Sequence, residues 1–163
     1  MMEPAIPKDE KERLAALREL KLLDTAPEER FDRMTRLAKK IFDVEMVSVT
    51  LVDDDRQWFK STQGLGDACE TDRGISFCGH AILEEQPLVV NDALADERFK
   101  DNPLVVGGPL IRFYAGCPLR APGGQRVGVL CLISAKPRSF DQRELDILKD
   151  LAGVVENELV RGR

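Results

Sequence analysis

No apolar run in this sequence approaches the ~20 residues that a membrane-spanning helix requires, so a helical membrane span is not expected. The chain has one histidine and four cysteines, at positions 69, 78, 117 and 131, and no C-x-x-C pair. A tetrahedral zinc site would have to draw on scattered residues, so no metal is expected. Basic residues are outnumbered, 24 against 29 acidic, for a net charge of -5. A nucleic-acid-binding domain leaves a basic footprint; none is present, and no nucleic-acid partner is expected. Met1-Met2-Glu3-Pro4 has neither the basic start nor the apolar stretch of a secretory leader. The expectation is a cytoplasmic setting with no membrane association, in which a reducing milieu keeps the thiols free. The chain ends Gly162-Arg163, either as a complete protein or as part of a longer one.

What is present fits one globular domain: 163 residues, 43% of them apolar. A domain of this size buries about two-thirds of its unfolded surface and needs no covalent staples. The charge deficit is concentrated in the middle, where 47–101 holds 5 basic and 12 acidic residues. That argues against a large polyanionic ligand there, although one arginine could hold a single anionic group.

The local patterns alternate between helix and strand. Lys8–Leu22 reads as a helix with Leu14, Leu17 and Leu20 on one edge. A second helix follows, with Thr25 as N-cap, Glu28 completing a capping box, and Phe31, Met34, Ala38 and Ile41 on one face. Val47–Val52 and Gln57–Thr62 form a hairpin around Asp53–Arg56. A polar loop, 64–73, leads to a short helix over Ser76–Glu85 and a brief strand over Leu88–Val90. Asn91–Leu110 is a long irregular segment of the kind that often serves as a lid. Ile111–Arg120 and Arg126–Ser134 form a second hairpin. Ser139, with Gln142, caps a last helix carrying Leu145, Leu148, Ala152, Val155 and Leu159. The spacing of that last stripe suits a coiled-coil seam or a domain core equally.

This order predicts an α+β fold: a central antiparallel sheet with the N- and C-terminal helices on one face. The short helix and long loop then cover the other face and leave room for a small-molecule pocket. Candidate ligand contacts follow from that arrangement. Phe59 and Tyr114 each follow or precede another aromatic on a strand, so one member of each pair faces the pocket. Phe77, Cys78 and His80 sit on the short helix, and Phe99 lies in the loop. Cys78 and His80 are two residues apart, roughly 200° around a helix axis, so they cannot both face the pocket as a thiol–imidazole pair. Asp92, Arg98 and Asn102 belong to the loop, and Arg112 to the following strand. A buried Arg112 needs a partner, and Asp92 or Asp96 would suit. Such groups either fix a polar ligand or form a salt bridge pinning the lid to the sheet. Asp53-Asp54-Asp55 reads as turn chemistry rather than a cation site.

Six stretches together resemble the bacterial GAF domain, a sensory module of histidine kinases and cyclic-di-GMP enzymes. They are Leu23–Thr25 with Glu28–Asp32; Val52-Asp53 with Arg56–Ser61; Ser76–Ile82; Asn91–Ala93 with Asp96–Phe99; Ile111–Gly116; and Gly128–Ile133. The resemblance implies six antiparallel strands, a GAF domain over 25–163 and an N-terminal helical extension over 1–24. It does not extend to three specialised subtypes. The cyclic-nucleotide pattern is not matched, since Asp96-Glu97 precedes Phe99 and Asn91 is followed by Asp92. A bilin-attaching Cys directly before a His is absent, since Gly79 separates Cys78 from His80. The long loop lacks the cysteine that free methionine sulfoxide reductases use as nucleophile.

The implied function is a non-enzymatic regulatory module with no catalytic residues. It would bind an unidentified small molecule and pass its state through a homodimer of terminal helices to an output domain such as a histidine kinase or diguanylate cyclase. No cofactor can be named. The alternatives are a ligand-free dimerisation module and a thiol-dependent enzyme with Cys78 or Cys117 as nucleophile.

Overall fold

All seven residues of Met46–Val52 are buried, yet Ser48 and Thr50 interrupt its apolar run at alternate positions. A strand points successive side chains to opposite faces, so this pattern requires cover on both sides and a polar strip on one. The computed structural model, which describes residues 1–161, has that form.

Among the described residues the elements are α1 (Glu10–Glu19), α2 (Glu29–Phe42), β1 (Met46–Val52), β2 (Arg56–Gln63) and β3 (Glu70–Asp72). A 3-10 turn over Arg73–Ile75 leads to α3 (Phe77–Ala81) and β4 (Leu88–Val90). A second turn, Ala93–Ala95, precedes α4 (Pro103–Val106), β5 (Phe113–Arg120), β6 (Arg126–Ser134) and α5 (Gln142–Val160). The six strands form one antiparallel sheet in the order β3-β2-β1-β6-β5-β4. The α+β expectation is met.

Each face of the sheet has its own core. Val47, Val49 and Leu51 of β1, Phe113, Ala115 and Leu119 of β5, and Leu130 and Leu132 of β6 pack under the helices. The helices supply Leu17, Phe31, Ala38, Leu148, Ala152 and Val155. The opposite face carries Tyr114, Val129, Cys131 and Ile133 against Phe77, Ile82, Phe99 and Val105. A bulge in β2 leaves Lys60 without a partner across from β1. Lys60 shares the helix face with Trp58, two residues before it, and its ammonium meets Thr25 Oγ1 at 2.7 Å and Glu28 at 2.8 Å, while the bulge brings Ser61 to that face as well, 2.8 Å from Thr35.

Several sequence expectations need correction. Thr25 does not cap α2: its hydroxyl donates to the Leu22 carbonyl and receives Lys60, and Glu28 is the first residue outside the helix. The capping box of α5 is Asp141 with Glu144 rather than Ser139 with Gln142, because extended backbone persists to Asp141. Ile41 is exposed, and Thr35 and Phe42 complete the buried stripe of α2 instead. In α1 the fully buried residues are Leu17 and Arg13, with Leu14 only partly covered. The polar loop 64–73 contains β3, too short to stand out in the sequence, and β5 begins at Phe113 rather than Ile111. The chain end at Gly162-Arg163 lies outside the described residues.

Candidate functional site

The face opposite the long helices holds a cavity of about 330 Å³, partly open to solvent. Its floor is built from alternate residues of four strands: Ser48 and Thr50, Gln57 and Phe59, Tyr114, and Cys131 with Ile133. Phe77 and Cys78 of α3 form the roof. The rim comes from Gly64, Leu65 and Ala68 on one side and Leu104, Pro109 and Ile111 on the other. Among the described residues that line it there is no Asp, Glu, Lys, Arg or His.

The roof is placed by capping. Ser76 Oγ accepts from the Gly79 amide at 2.9 Å and donates to the Arg73 carbonyl at 2.7 Å, which starts α3 at Phe77. The rim turns at Gly64, whose φ of 77° is left-handed. A side chain there would strain the backbone and strike the Glu45 carbonyl. The floor needs a second glycine. Tyr114 lies along its strand directly over Gly116, in space that any β-carbon would take. That posture points the phenol at the roof, where it donates to Cys78 Sγ at 3.2 Å.

The polar groups of the floor form a connected chain. Tyr114 donates to Cys78, and Cys78 Sγ lies 3.9 Å from Cys131 Sγ. Ser48 Oγ meets Cys131 Sγ at 2.9 Å and Thr50 Oγ1 at 2.6 Å. Burial pushes the Tyr114 phenol and the Cys78 thiol well above their ordinary ranges. Cys131 is held below its ordinary value by hydrogen bonds from Cys78, Ser48 and Thr50 that outweigh burial. On the helix face, burial raises Cys117 to about 11. All four cysteines are free thiols, and Cys69 is exposed.

Of the residues expected at the site, Phe59, Phe77, Cys78 and Tyr114 line the cavity. Phe99 stands one layer behind, stacked on Phe77 with ring centroids 4.1 Å apart. His80 lies beyond Phe99, edge-on to it, with Nε2 3.1 Å from the Met2 carbonyl oxygen. Cys78 and His80 thus face apart. Burial lowers His80 below its ordinary value despite that hydrogen bond.

Asp92, Arg98, Asn102 and Arg112 are placed in the lid rather than on the cavity wall. Asp92 accepts from the Leu94 amide and Arg98 pairs with Asp96 at 2.7 Å. Asn102 Oδ1 caps α4 at the Leu104 amide, while its Nδ2 donates to the Ile75 carbonyl beside the roof. The expected pairing of Arg112 with Asp92 or Asp96 is corrected. Arg112 Nη1 donates to the carbonyls of Val105, at 2.8 Å, and Ile111, at 3.1 Å. Asp96 is already taken by Arg98, and the C-terminal end of α4 presents unpaired carbonyls within reach. The lid is therefore pinned by a charge-assisted hydrogen bond, not a salt bridge.

Sequence reasoning missed most of the lining, including the polar and thiol groups of the floor, Ser48, Thr50, Gln57 and Cys131. The signal was available for Ser48 and Thr50: hydroxyl residues alternating with Val and Leu in a strand that is otherwise apolar. Among the described residues, no group of three or more His, Cys, Asp or Glu is placed to hold a metal ion. Among the described residues no helix is long and apolar enough to cross a membrane.

A six-stranded antiparallel sheet with long helices on one face and a roofed cavity on the other is the architecture of a small α+β domain built around a pocket. The chain belongs to the GAF domain family, whose profile matches residues 26–159. It is 39% identical over 156 residues to a cyclic di-GMP phosphodiesterase of Pseudomonas aeruginosa, a match covering 95% of this chain. The chain spans about a quarter, 26%, of that relative's length. In fold it is similar to the GAF domain of an Acinetobacter phosphoenolpyruvate-protein phosphotransferase, with TM-score 0.67, 17% identity, and coverage of 94% of this chain and 93% of the other. It is also similar to a free methionine-R-sulfoxide reductase of Neisseria meningitidis, solved with its substrate, with TM-score 0.66, 21% identity, and coverage of 99% and 97%.

Proposed function

We propose that the chain is a non-enzymatic sensory module whose cavity takes a small, uncharged, largely apolar molecule. The observation that carries this reading is the lining: aromatic and aliphatic walls, with hydroxyl, amide and thiol groups and no Asp, Glu, Lys, Arg or His among the described residues. An anionic ligand would lose its water there without gaining a counter-charge, a penalty of several kcal/mol or about three orders of magnitude in affinity. The volume, about 330 Å³, suits a ligand at the small end of the usual range of ~300–1,000 Å³.

A ligand in this position touches α3 and α4 and meets the underside of the sheet that carries α1, α2 and α5. We further propose that the terminal helices pair two copies and convey the cavity's state to an adjoining output domain, and that the module works in the cytoplasm. The similarity to one quarter of a cyclic di-GMP phosphodiesterase supports an output domain of that signalling class. A ligand shifts such a system only through unequal affinity for its two states.

Native mass spectrometry of the purified protein tests the reading. The expected result is a neutral mass that leaves on denaturation, with Ile133→Trp, which fills the floor, purified without it. A cavity that stays bare and fails to retain small apolar probes would overturn the ligand claim. Retention of a phosphorylated ligand would overturn the uncharged class.

A further inference from the structure

We propose that Cys78 and Cys131 are an oxidisable dithiol, joined by a peroxide into a disulfide that staples the roof of the cavity to its floor. The two sulfurs are 3.9 Å apart, already in van der Waals contact, on different layers of the fold. Both side chains are shielded from the outer surface, yet both line the cavity, so a small uncharged oxidant reaches them through it. This inference concerns the thiols themselves and stands whether or not the cavity holds another ligand.

The hydrogen bonding orders the two roles. Tyr114 donates its hydroxyl to Cys78, and the Cys78 thiol donates in turn to Cys131. Cys131 also sits 2.9 Å from Ser48 Oγ, which in turn meets Thr50. The network therefore ends at Cys131, the sulfur best supported as a thiolate. Cys131 attacks one oxygen of hydrogen peroxide, the O–O bond breaks, and the hydroxide leaving group takes up the thiol's proton as water. Cys131 is then a sulfenic acid. The Cys78 sulfur attacks the Cys131 sulfur, the S–O bond breaks, and a second water leaves with the Cys78 proton. Two thiols lose two electrons and two protons, and the peroxide is reduced to two waters.

The remaining cysteines do not compete for this linkage. Cys117 belongs to the core on the other side of the sheet, and Cys69 lies on the surface. Closure of the pair would fix α3, and with it Phe77, against β6.

The experiment uses a Cys69→Ser/Cys117→Ser variant that retains the pair. It is treated with hydrogen peroxide, denatured and alkylated, then weighed intact and mapped as peptides. The expected result is two fewer alkylated thiols, a Cys78–Cys131 cross-linked peptide, and full reversal by dithiothreitol. Hydrogen exchange of the 77–82 amides should slow at least several-fold in the oxidised form. In the same background Cys78→Ala should stop at a Cys131 sulfenic acid that dimedone captures, while Cys131→Ser should resist peroxide. Two alkylatable thiols after peroxide, with the folded state verified by circular dichroism, would overturn the proposal. So would stepwise over-oxidation of each sulfur without a cross-link. Dimedone capture on Cys78 in the Cys131→Ser variant would reverse the assigned roles.

Discussion

Arg13, a fully buried residue of α1, donates through Nη1 to the carbonyl oxygen of Val52, the last residue of β1, at 2.7 Å. Glu10 receives the same guanidinium at 2.7 Å and also pairs with Arg73, which leads into the roof helix. Burial works to raise the Glu10 carboxyl, and the hydrogen bonds from Arg13 and Arg73 outweigh it, so it titrates below its ordinary range. A terminal helix, a strand end and the roof of the cavity thus share one network. Ser76, three residues after Arg73, caps the roof helix.

Arg13→Met should therefore cost about 2–3 kcal/mol of stability, since it strands the buried Val52 carbonyl and removes one of the two cations that pair with the partly buried Glu10. Urea unfolding measures this. A loss below about 1 kcal/mol, the value of an exposed pair, would mean that the network is effectively solvated.

The lid should loosen when Arg112 is shortened. Arg112→Ala removes the hydrogen bond to Val105, and Asn102→Ala removes both the α4 cap and the tie to Ile75. Each should cost about 1–2 kcal/mol and speed amide exchange in 103–106. Exchange unchanged in both variants would show that Val105 burial alone holds the lid.

Acidification should destabilise the protein through His80. The unfolded chain binds a proton on this residue near its ordinary value of 6.5, while burial lowers the value in the folded state. Between the two the unfolded state holds more protons, so stability falls as pH drops below about 6.5. Arg98 adds to that shift and Asp96 opposes it. His80→Gln should flatten the melting temperature between pH 7.5 and 5.5. An equal slope in both proteins would remove His80 as the cause.

The fold class was legible because it rests on period. Val47–Val52 and Arg126–Ser134 carry strand alternation, and Phe31, Met34 and Ala38 carry helical spacing, so the hairpins, the two layers and the covered far face could be read directly. Part of the cavity was legible from the same order of elements, in Phe59, Phe77, Cys78 and Tyr114. Caps were misplaced by two or three residues because Thr25 and Ser139 are acceptable caps locally, and only Lys60 and the extended Asp141 decide otherwise.

What the sequence determined by itself was the alternation of apolar and polar residues, and hence which elements form and which faces they bury. Tertiary structure alone decided which polar groups meet. Cys78 and Cys131 are 53 positions apart, and Arg13 and Val52 are 39 apart. Their contacts depend on sheet order and on a helix crossing another layer. Arg112 shows the same limit: its charge required a partner, and the fold placed backbone carbonyls nearer than any carboxylate. Local periodicity carries no information about such distances; they are set when the two faces of the sheet are packed.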